Sequence, residues 1–339
     1  MSMADLAKEL EKAIGLNSNK QQVQYYLDTG YPPLNKIISG KYDGGIACGR
    51  ITEMFGPSSS GKTAIAMKLM IEAQKAGGVA MFMDHERSFD LGMAKLNGLN
   101  DAFPKWIYQQ PRTWEESNKV AAVAAKTIRA SKAIPPEAPI LVVFDSIAAM
   151  IPRSVLEKEM DEYNMNDTTA LARATSSTLK VMAQFAEDYN MTLLYLNQIR
   201  TKPGVVYGDP TTTPGGTSME FFATSRIQLA RKRIIEDKGE GKELTGQVIT
   251  VKIVKSKLTR PFQETEMRFM FKADGSGYFD TTGSLLDYLV GKGIIASGGA
   301  RVTWTDGKSY YRKALLEKIE AEGLQDELLA LAPHDLETV

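Results

Sequence analysis

Residues 56–63 carry a glycine-rich motif that restricts how the surrounding chain can fold. These eight residues match the pattern G-x-x-x-x-G-K-[ST] at every fixed position. The run 50–55 before the motif predicts a strand, and the pattern over 62–76 predicts a helix that a Gly-Gly pair ends. In this context the backbone N–H groups of the loop and the helix N-terminus form a site for phosphate groups. The alternative is a glycine and serine loop that binds nothing, which the flanking strand and helix disfavour.

The motif also assigns individual roles. In such loops the lysine ammonium reaches the β- and γ-phosphates of a nucleotide, and the hydroxyl that follows it binds Mg²⁺. We therefore expect Lys62 to contact phosphate and Thr63 to be a magnesium ligand. The candidate nucleotide-binding residues of the loop are Gly56, Pro57, Ser58, Ser59, Ser60, Gly61, Lys62 and Thr63.

Strand and helix patterns alternate after this motif. Apolar runs predict strands over 79–84, 139–145 and 192–198, and amphipathic patterns predict helices over 114–131 and 168–189. Alternation of this kind predicts an α/β fold with a mainly parallel central sheet covered by helices.

The pattern changes beyond residue 225. Runs separated by turn residues predict antiparallel strands there, followed by a short helical piece over 284–292 and helices across 312–331. The length of 339 residues predicts about two domains, at roughly 150 residues each.

Composition excludes several classes of protein. The 41 Lys and Arg balance the 41 Asp and Glu, which argues against a uniformly basic nucleic-acid coat. The charge is nevertheless segregated, since residues 226–260 hold ten bases and four acids, whereas residues 314–339 hold seven acids and one base. The single cysteine, Cys48, excludes an intrachain disulfide. Because the sequence shows neither a long apolar run nor an apolar signal core, we expect no membrane partner and a cytoplasmic location.

Two carboxylates stand where predicted strands end. Asp145 ends the apolar run 140–144, and an acid at such a strand tip supports the magnesium ion of many nucleotide hydrolases. Its alternative role is to cap a following helix. Glu86 comes just after the strand 79–84, where a carboxylate could orient and deprotonate an attacking water. The alternative for Glu86 is that it lies in a solvated surface loop, which would be the usual interpretation in a chain without a phosphate loop.

A long loop follows the strand that ends at Gln198. Residues 200–217 contain no periodic pattern, and a loop of this length in a compact domain is usually functional or disordered. Its cations Arg200 and Lys202 and its aromatic Tyr207 suit single-stranded nucleic acid, because phosphates attract cations and bases stack on flat apolar groups. A disordered surface loop is the alternative. Gln198 could respond to a γ-phosphate and pass its presence to this loop.

Two further segments have alternative roles at an interface between subunits. The helix predicted over 4–14 places Leu6 and Leu10 on one face, which packs either on its own core or on a neighbouring subunit. Lys255 and Lys257 share one face of a predicted strand. They either protect an exposed sheet edge or point at a neighbour's nucleotide.

The ordered motifs resemble those of the bacterial RecA recombinases and their phage-encoded relatives. The matching segments, which cover nearly the whole length in order and spacing, are GPSSSGKT at 56–63, FMDHERSFD at 82–90, VVFDSIAAM at 142–150, LNQIR at 196–200, GDPTTTPGG at 208–216, FFATSR at 221–226 and VKIVKSK at 251–257. The resemblance implies an ATP-dependent filament on single-stranded DNA that performs homologous pairing and strand exchange with double-stranded DNA. It implies ATP and Mg²⁺ as cofactors, and a single-strand-binding protein and loader proteins as further partners.

The resemblance also implies roles for matching residues. Glu86 looks like the catalytic base, Gln198 like the γ-phosphate sensor, and Asp90 like part of the nucleotide site. Phe221, Lys255 and Lys257 resemble residues that act across the subunit interface, the lysines in catalysis. The residues similar to the family's DNA-binding positions are Arg173, Arg200, Lys202, Tyr207, Thr212, Thr213, Gly215, Gly216 and Arg226.

By the same resemblance we expect three segments. They are an N-terminal oligomerisation arm (1–34), an ATPase core with DNA-binding loops (35–283), and a small α/β C-terminal domain (284–339). Residues 156–168 then resemble a first DNA-binding loop, which is longer here and acidic.

At two positions the sequence departs from the family pattern. Met93 and Thr282 stand where we place the family's adenine-stacking tyrosines, so we expect apolar or backbone contacts to hold adenine.

Two other classes of protein remain open alternatives. A hexameric helicase with the same core would normally add an N-terminal helical domain, and a regulatory ATPase would not need the loop 200–216. The paired lysines and that loop favour the recombinase.

Overall fold

The computed structural model describes residues 2–14, 22–163, 167–201, 211–237 and 241–333. The helices are α1 (Met3–Ile14), α2 (Pro32–Ser39), α3 (Lys62–Lys75), α4 (Leu91–Leu96), α5 (Trp114–Ser131), α6 (Arg153–Leu156), α7 (Asp167–Asp188), α8 (Ser218–Phe222), α9 (Thr281–Gly291), α10 (Arg312–Glu322) and α11 (Gln325–Ala330). The strands are β1 (Tyr26–Leu27), β2 (Ile46–Ala47), β3 (Ile51–Gly56), β4 (Val79–Asp84), β5 (Trp106–Gln109), β6 (Ile140–Asp145), β7 (Met191–Gln198), β8 (Arg200–Thr201), β9 (Thr211–Thr212), β10 (Ser225–Asp237), β11 (Lys242–Ser256), β12 (Glu264–Phe271), β13 (Gly277–Asp280), β14 (Ser297–Gly298), β15 (Arg301–Thr303) and β16 (Ser309–Tyr311).

A nine-stranded sheet forms the centre of the fold, in the order β13-β12-β11-β10-β3-β7-β6-β4-β5. The strands from β10 to β5 in this order run parallel to one another, and β10 to β13 form an antiparallel extension. The predicted α/β fold with a mainly parallel sheet is therefore confirmed.

The central strands are apolar because helices cover both faces of the sheet. Along β6, Leu141 and Val143 pack into one core cluster, together with α3, whereas Ile140, Val142 and Phe144 pack into a second cluster with α5 and α7. A strand buried on both faces has no polar alternation, which explains why its sequence is a continuous apolar run.

The stretch 27–45, which is rich in glycine and proline and lies between α1 and the central sheet, is part of the core. It contains α2, which begins with two prolines and ends at Gly40 with a φ of 86°. Tyr31 is fully buried, and its hydroxyl donates to the carbonyl oxygens of Glu266 at 3.0 Å and Ser284 at 3.1 Å. Local sequence could not show this because both partners lie more than 230 residues away.

The ends of the chain differ in how they pack. Every residue from Ser2 to Ala13 is exposed, with Leu6 at 38% and Leu10 at 43%, which argues against α1 packing on its own core. At the other end, β14–β16 form a small sheet, and α10 and α11 pack beside it and α9. The predicted three-segment division stays a prediction, and its two boundaries fall inside α2 and α9. Within the described residues, no helix is long and apolar enough to cross a membrane.

Replacing Tyr31 with phenylalanine tests how the stretch 27–45 is anchored. We expect Tyr31→Phe to lower the free energy of unfolding by about 1–2 kcal/mol, because two carbonyls, that of Ser284 in a buried hydrogen bond, lose their shared donor. Urea denaturation measures this change. The exposed Tyr311→Phe is the matched control and should leave the midpoint unchanged, and an equal effect of both variants would contradict the anchoring role.

Candidate nucleotide-binding site

The predicted phosphate loop lies where several parallel strands end. Gly56 ends β3, Asp145 ends β6, and Gln198 ends β7. Since β7 lies between β3 and β6 in the sheet, these three tips share one edge. The carboxyl edge of an open parallel sheet is where ligands bind in such folds.

The loop over 56–63 has the backbone shape of an anion cradle. Gly61, with a φ of 95°, precedes α3, and the helix start has no side-chain cap among the described residues. Its first-turn N–H groups therefore remain available to an anion. The Lys62 ammonium donates to the carbonyl oxygens of Gly56 at 3.0 Å and Pro57 at 2.8 Å, and burial lowers its pKa. The Ser60 hydroxyl is buried and has no partner within the described part of the chain.

Residues of the antiparallel extension pack directly against the phosphate loop. A Cβ atom on Gly61 would lie 2.3 Å from the Ile249 side chain of β11, and one on Gly56 would lie 2.6 Å from the Leu229 carbonyl of β10. Glycine is therefore required at Gly56, where the contact is with backbone, and is favoured at Gly61, where the positive φ adds to the contact with the Ile249 side chain.

Thr63 and Asp145 form an oxygen pair that suits a magnesium ion. The Thr63 hydroxyl donates to Asp145 Oδ2 at 2.8 Å, and burial raises the pKa of Asp145 to about 7. Mg²⁺ is usually held by one or two protein oxygens together with substrate phosphates and waters. The described residues contain no cluster of three or more His, Cys, Asp or Glu that could hold a metal by itself.

Glu86 lies at the same edge as these groups. Its carboxylate accepts hydrogen bonds from the Ser146 hydroxyl and, at 3.3 Å, from the Gln198 amide. The N–H groups of His85 and Glu86 both donate to the Asp145 carbonyl, at 2.7 and 3.2 Å. The structure thus brings together the predicted base, the predicted sensor and the predicted metal-supporting acid.

Asp84 shapes the loop that carries Glu86, and sequence reasoning missed it. Its buried carboxylate accepts from the N–H groups of Arg87 at 2.6 Å and Phe89 at 3.2 Å, and from the Tyr108 hydroxyl at 2.8 Å. The available signal was an acid at the end of the predicted strand 79–84, where the N–H groups of the following loop lack strand partners. Its side chain is a structural anchor for the loop after β4.

The cleft has a volume of about 300 Å³, and one of its walls was not foreseen. Arg231, Gln247 and Phe271 from the antiparallel strands line it together with the phosphate loop. By contrast, Thr282 lines a separate cavity beside Leu316, and Met93 packs partly buried against the core. Sequence alone gave no signal for this wall because its residues meet only through strand register.

Asp90 lies in the loop after β4 but is not among the described residues that line the cleft. Its carboxylate caps α4 by accepting from the Met93 N–H at 2.9 Å.

The predicted DNA loop begins and ends in ordered structure. Arg200 and Thr201 pair with Thr212 and Thr211 as a short antiparallel ladder, so the expectation of a structureless loop is wrong at its two ends. Residues 202–210, which include Lys202 and Tyr207, lie outside the described residues.

Two glycines close this loop against α7. Gly215 and Gly216 have φ values of 91° and 73°, and a Cβ on Gly216 would lie 2.9 Å from the Ala172 Cβ. Thr213 beside them is buried. Arg173 is exposed on α7 and donates to the Thr169 hydroxyl at 2.9 Å. In the acidic segment 156–168, Lys158 and Asp167 form an ion pair at 2.6 Å.

Lys255 and Lys257 lie beside α8. The Lys255 ammonium donates to the carbonyl oxygens of Glu220 and Phe221, and the Lys257 ammonium donates to that of Phe221 at 3.0 Å. Burial, followed by repulsion from Lys257, lowers the pKa of Lys255. The Phe221 side chain is 69% exposed. Neither lysine is among the described residues that line the chain's own cleft.

The fold and this site define a phosphate-loop nucleotide-binding protein with a mainly parallel sheet. The sequence model of the protein family described as the RecA N-terminal domain matches residues 6–276 of this chain. Protein RecA of Sulfurimonas denitrificans is 34% identical, over 98% of this chain and 90% of that protein. Protein RecA of Geobacter sulfurreducens is 33% identical, over 87% of this chain and 86% of that protein.

The chain therefore belongs to the RecA family. As a member of it, the protein is an ATP-dependent DNA recombinase with DNA-dependent ATPase activity. Filament formation and strand exchange are general properties of this family.

Substitution of Gly61 tests the packing beneath the phosphate loop. We expect Gly61→Ala to weaken nucleotide binding about tenfold or more, because the added Cβ meets Ile249 and alanine disfavours the positive φ. Titration with a fluorescent ATP analogue measures this. Gly77→Ala, at a positive φ with open space around it, is the control for backbone strain. Equal weakening by both variants would contradict the packing argument.

Proposed function

We propose that the cleft binds ATP with Mg²⁺ and that single-stranded DNA on the loop 200–217 accelerates hydrolysis. The observation that carries this proposal is the bond between the Glu86 carboxylate and the Gln198 amide beside the Thr63–Asp145 pair. One contact then joins the group that activates water to the strand tip where the DNA loop begins. A bound nucleotide would therefore change the positions of Glu86 and Gln198 together.

Each residue of the cleft has a proposed task in hydrolysis. Lys62 would leave the loop carbonyls to contact the β- and γ-phosphates. Thr63 and Asp145 would hold Mg²⁺, which would supply positive charge to stabilise the phosphates. Glu86 accepts a proton from the attacking water, and Gln198 contacts the γ-phosphate. Ser146, which donates to Glu86, keeps that carboxylate in position until substrate binds.

Phe271 offers a flat surface for the adenine base. It lines the same cleft as the phosphate loop, whereas Thr282 lies in a different cavity. We therefore assign the stacking role to Phe271 instead of Met93 or Thr282. Arg231, exposed in the cleft, adds a second positive charge near the phosphates.

DNA would bind along the ordered ends of the loop and beside α7. Arg200 and Arg173 are exposed cations that suit the DNA backbone, and Lys202 and Tyr207 keep the contacts proposed from sequence. Gly215 and Gly216 hold the end of the loop against α7, so this end stays in place while the loop changes conformation. Thr212 is the last paired residue of the ladder, and Thr213 follows it at that exit.

Contacts between neighbouring subunits complete the proposal. Lys255 and Lys257 would exchange their α8 carbonyl partners for the phosphates of a neighbour's nucleotide, which places Phe221 at the interface. The exposed apolar face of α1 would dock on the next subunit. Double-stranded DNA, a single-strand-binding protein and loader proteins are the further partners proposed, in the cytoplasm.

Replacing Glu86 with glutamine tests the proposed base. We expect Glu86→Gln to retain nucleotide binding but to lose about 100-fold or more of the ATP turnover seen with single-stranded DNA, because an amide accepts no proton from water. Phosphate release with and without DNA, beside titration with an ATP analogue, measures both properties. Glu187→Gln, in an ion pair with Arg50 away from the cleft, is the control. Turnover within a few-fold of the unmodified protein would exclude Glu86 as the base.

Removing the N-terminal helix tests its proposed docking role. We expect deletion of residues 1–20 to abolish filaments while nucleotide binding persists, because α1 contacts solvent in the single subunit. Negative-stain microscopy and nucleotide titration give the two readouts. Filaments of unchanged length would refute the docking role.

A further inference from the structure

A buried ion pair lies in the sheet directly behind the phosphate loop. Glu53 of β3 is fully buried, and its Oε2 accepts from Arg226 Nε of β10 at 2.6 Å. The two residues are direct neighbours in the parallel pairing of these strands, and the Arg226 side chain is only 13% exposed. Arg226, placed among the DNA-binding residues by resemblance, is thus turned inward.

The other carboxylate oxygen of Glu53 reaches the strand tip at the nucleotide. Its Oε1 accepts from the Asn197 amide at 2.9 Å, and the same amide donates to the Pro214 carbonyl at 2.9 Å. The side-chain Oδ1 of Asn197 in turn accepts from the backbone N–H of Gln198 at 3.0 Å. Asn197 therefore joins Glu53 to the residue whose side chain meets Glu86.

Arg226 extends the same network toward the DNA loop and α8. It donates to the Thr213 hydroxyl at 3.3 Å and lies 3.5 Å from a Glu220 oxygen. Its guanidinium also stacks over the Phe55 ring at 4.9 Å. Glu53 thus connects the tip of β7 with Thr213 and Pro214, at the exit of the loop, and with the helix that presents Phe221.

A buried carboxylate of this kind holds its neighbours tightly. Removing one partner of a buried ion pair leaves an uncompensated charge. Asn197 and Arg226 are therefore constrained to move together with Glu53, or to be replaced together by other partners. Gln198 follows Asn197 directly, and any displacement of Gln198 by a terminal phosphate acts on a residue that Glu53 fixes. Glu53 itself is fully buried and is not among the described residues that line the cleft.

We propose that Glu53 is a positioning residue that couples the nucleotide to the DNA loop. Its carboxylate links Asn197 to Arg226, so a shift at Gln198 moves Pro214 and Thr213 and resets the loop for single-stranded DNA. This inference rests on the proposed function of the cleft and the loop 200–217. A purely structural ion pair would instead affect stability without changing how nucleotide alters DNA affinity.

The test measures DNA affinity with and without a nucleotide. Fluorescence anisotropy with a labelled oligo-dT strand gives the affinity in the absence and presence of a non-hydrolysable ATP analogue. For Glu53→Gln, which removes the charge at constant shape, we expect affinity for the analogue to stay within about twofold. We expect the enhancement of DNA affinity by the analogue to fall about tenfold, a loss of the size typical of coupling between two sites. Glu187→Gln should keep the full enhancement.

A second variant covers the case in which Glu53→Gln unfolds the chain. The paired change Glu53→Met with Arg226→Met removes both charges, and such replacements are often neutral or stabilising. We expect the paired variant to keep the melting temperature of the unmodified protein and to lose the same enhancement of DNA affinity by the analogue. Full enhancement in either folded variant would overturn the coupling role. If the unmodified protein showed no enhancement at all, the proposed function itself would fail, and the two failures are thus distinguishable.

Discussion

The hydrogen bond between Thr63 and Asp145 depends on a single constraint, the common direction of β3, β7 and β6. Parallel strands end at one edge of the sheet, so residues from distant parts of the chain meet there without long loops. The phosphate loop, Gln198 and Asp145, the proposed magnesium-supporting acid, all lie at this edge. The same parallel order allows Glu86 to contact Gln198, which joins the cleft to the start of the proposed DNA loop.

The antiparallel extension packs against the phosphate loop at this edge and connects the cleft to the proposed subunit interface. Ile249 packs beneath Gly61, and Phe271 and Arg231 close the cleft on one side. Further along, the extension ends at Lys255 and Lys257, beside α8. Because β10 pairs with both β3 and β11, a change in the cleft can reach the proposed subunit interface within one continuous sheet.

Sequence predicted the parts of this protein that short contiguous patterns encode. The loop and α3 follow from eight adjacent residues, and the buried strands follow from apolar runs that helices cover on both faces. Phe271 and the buried Tyr31 could not be predicted, because their roles arise from strand register and from partners far along the chain. Glu53 was missed for the same reason, since its position in β3 gave no sign of the distant partners that it contacts. The roles proposed for Lys202 and Tyr207 stay predictions from sequence.

Nucleotide in this cleft is proposed to drive assembly of a recombinase filament on single-stranded DNA. Electron microscopy of the protein with single-stranded DNA and a non-hydrolysable ATP analogue tests this role most directly. We expect continuous helical filaments that require both the DNA and the nucleotide. Closed rings, or DNA without bound protein, would contradict it.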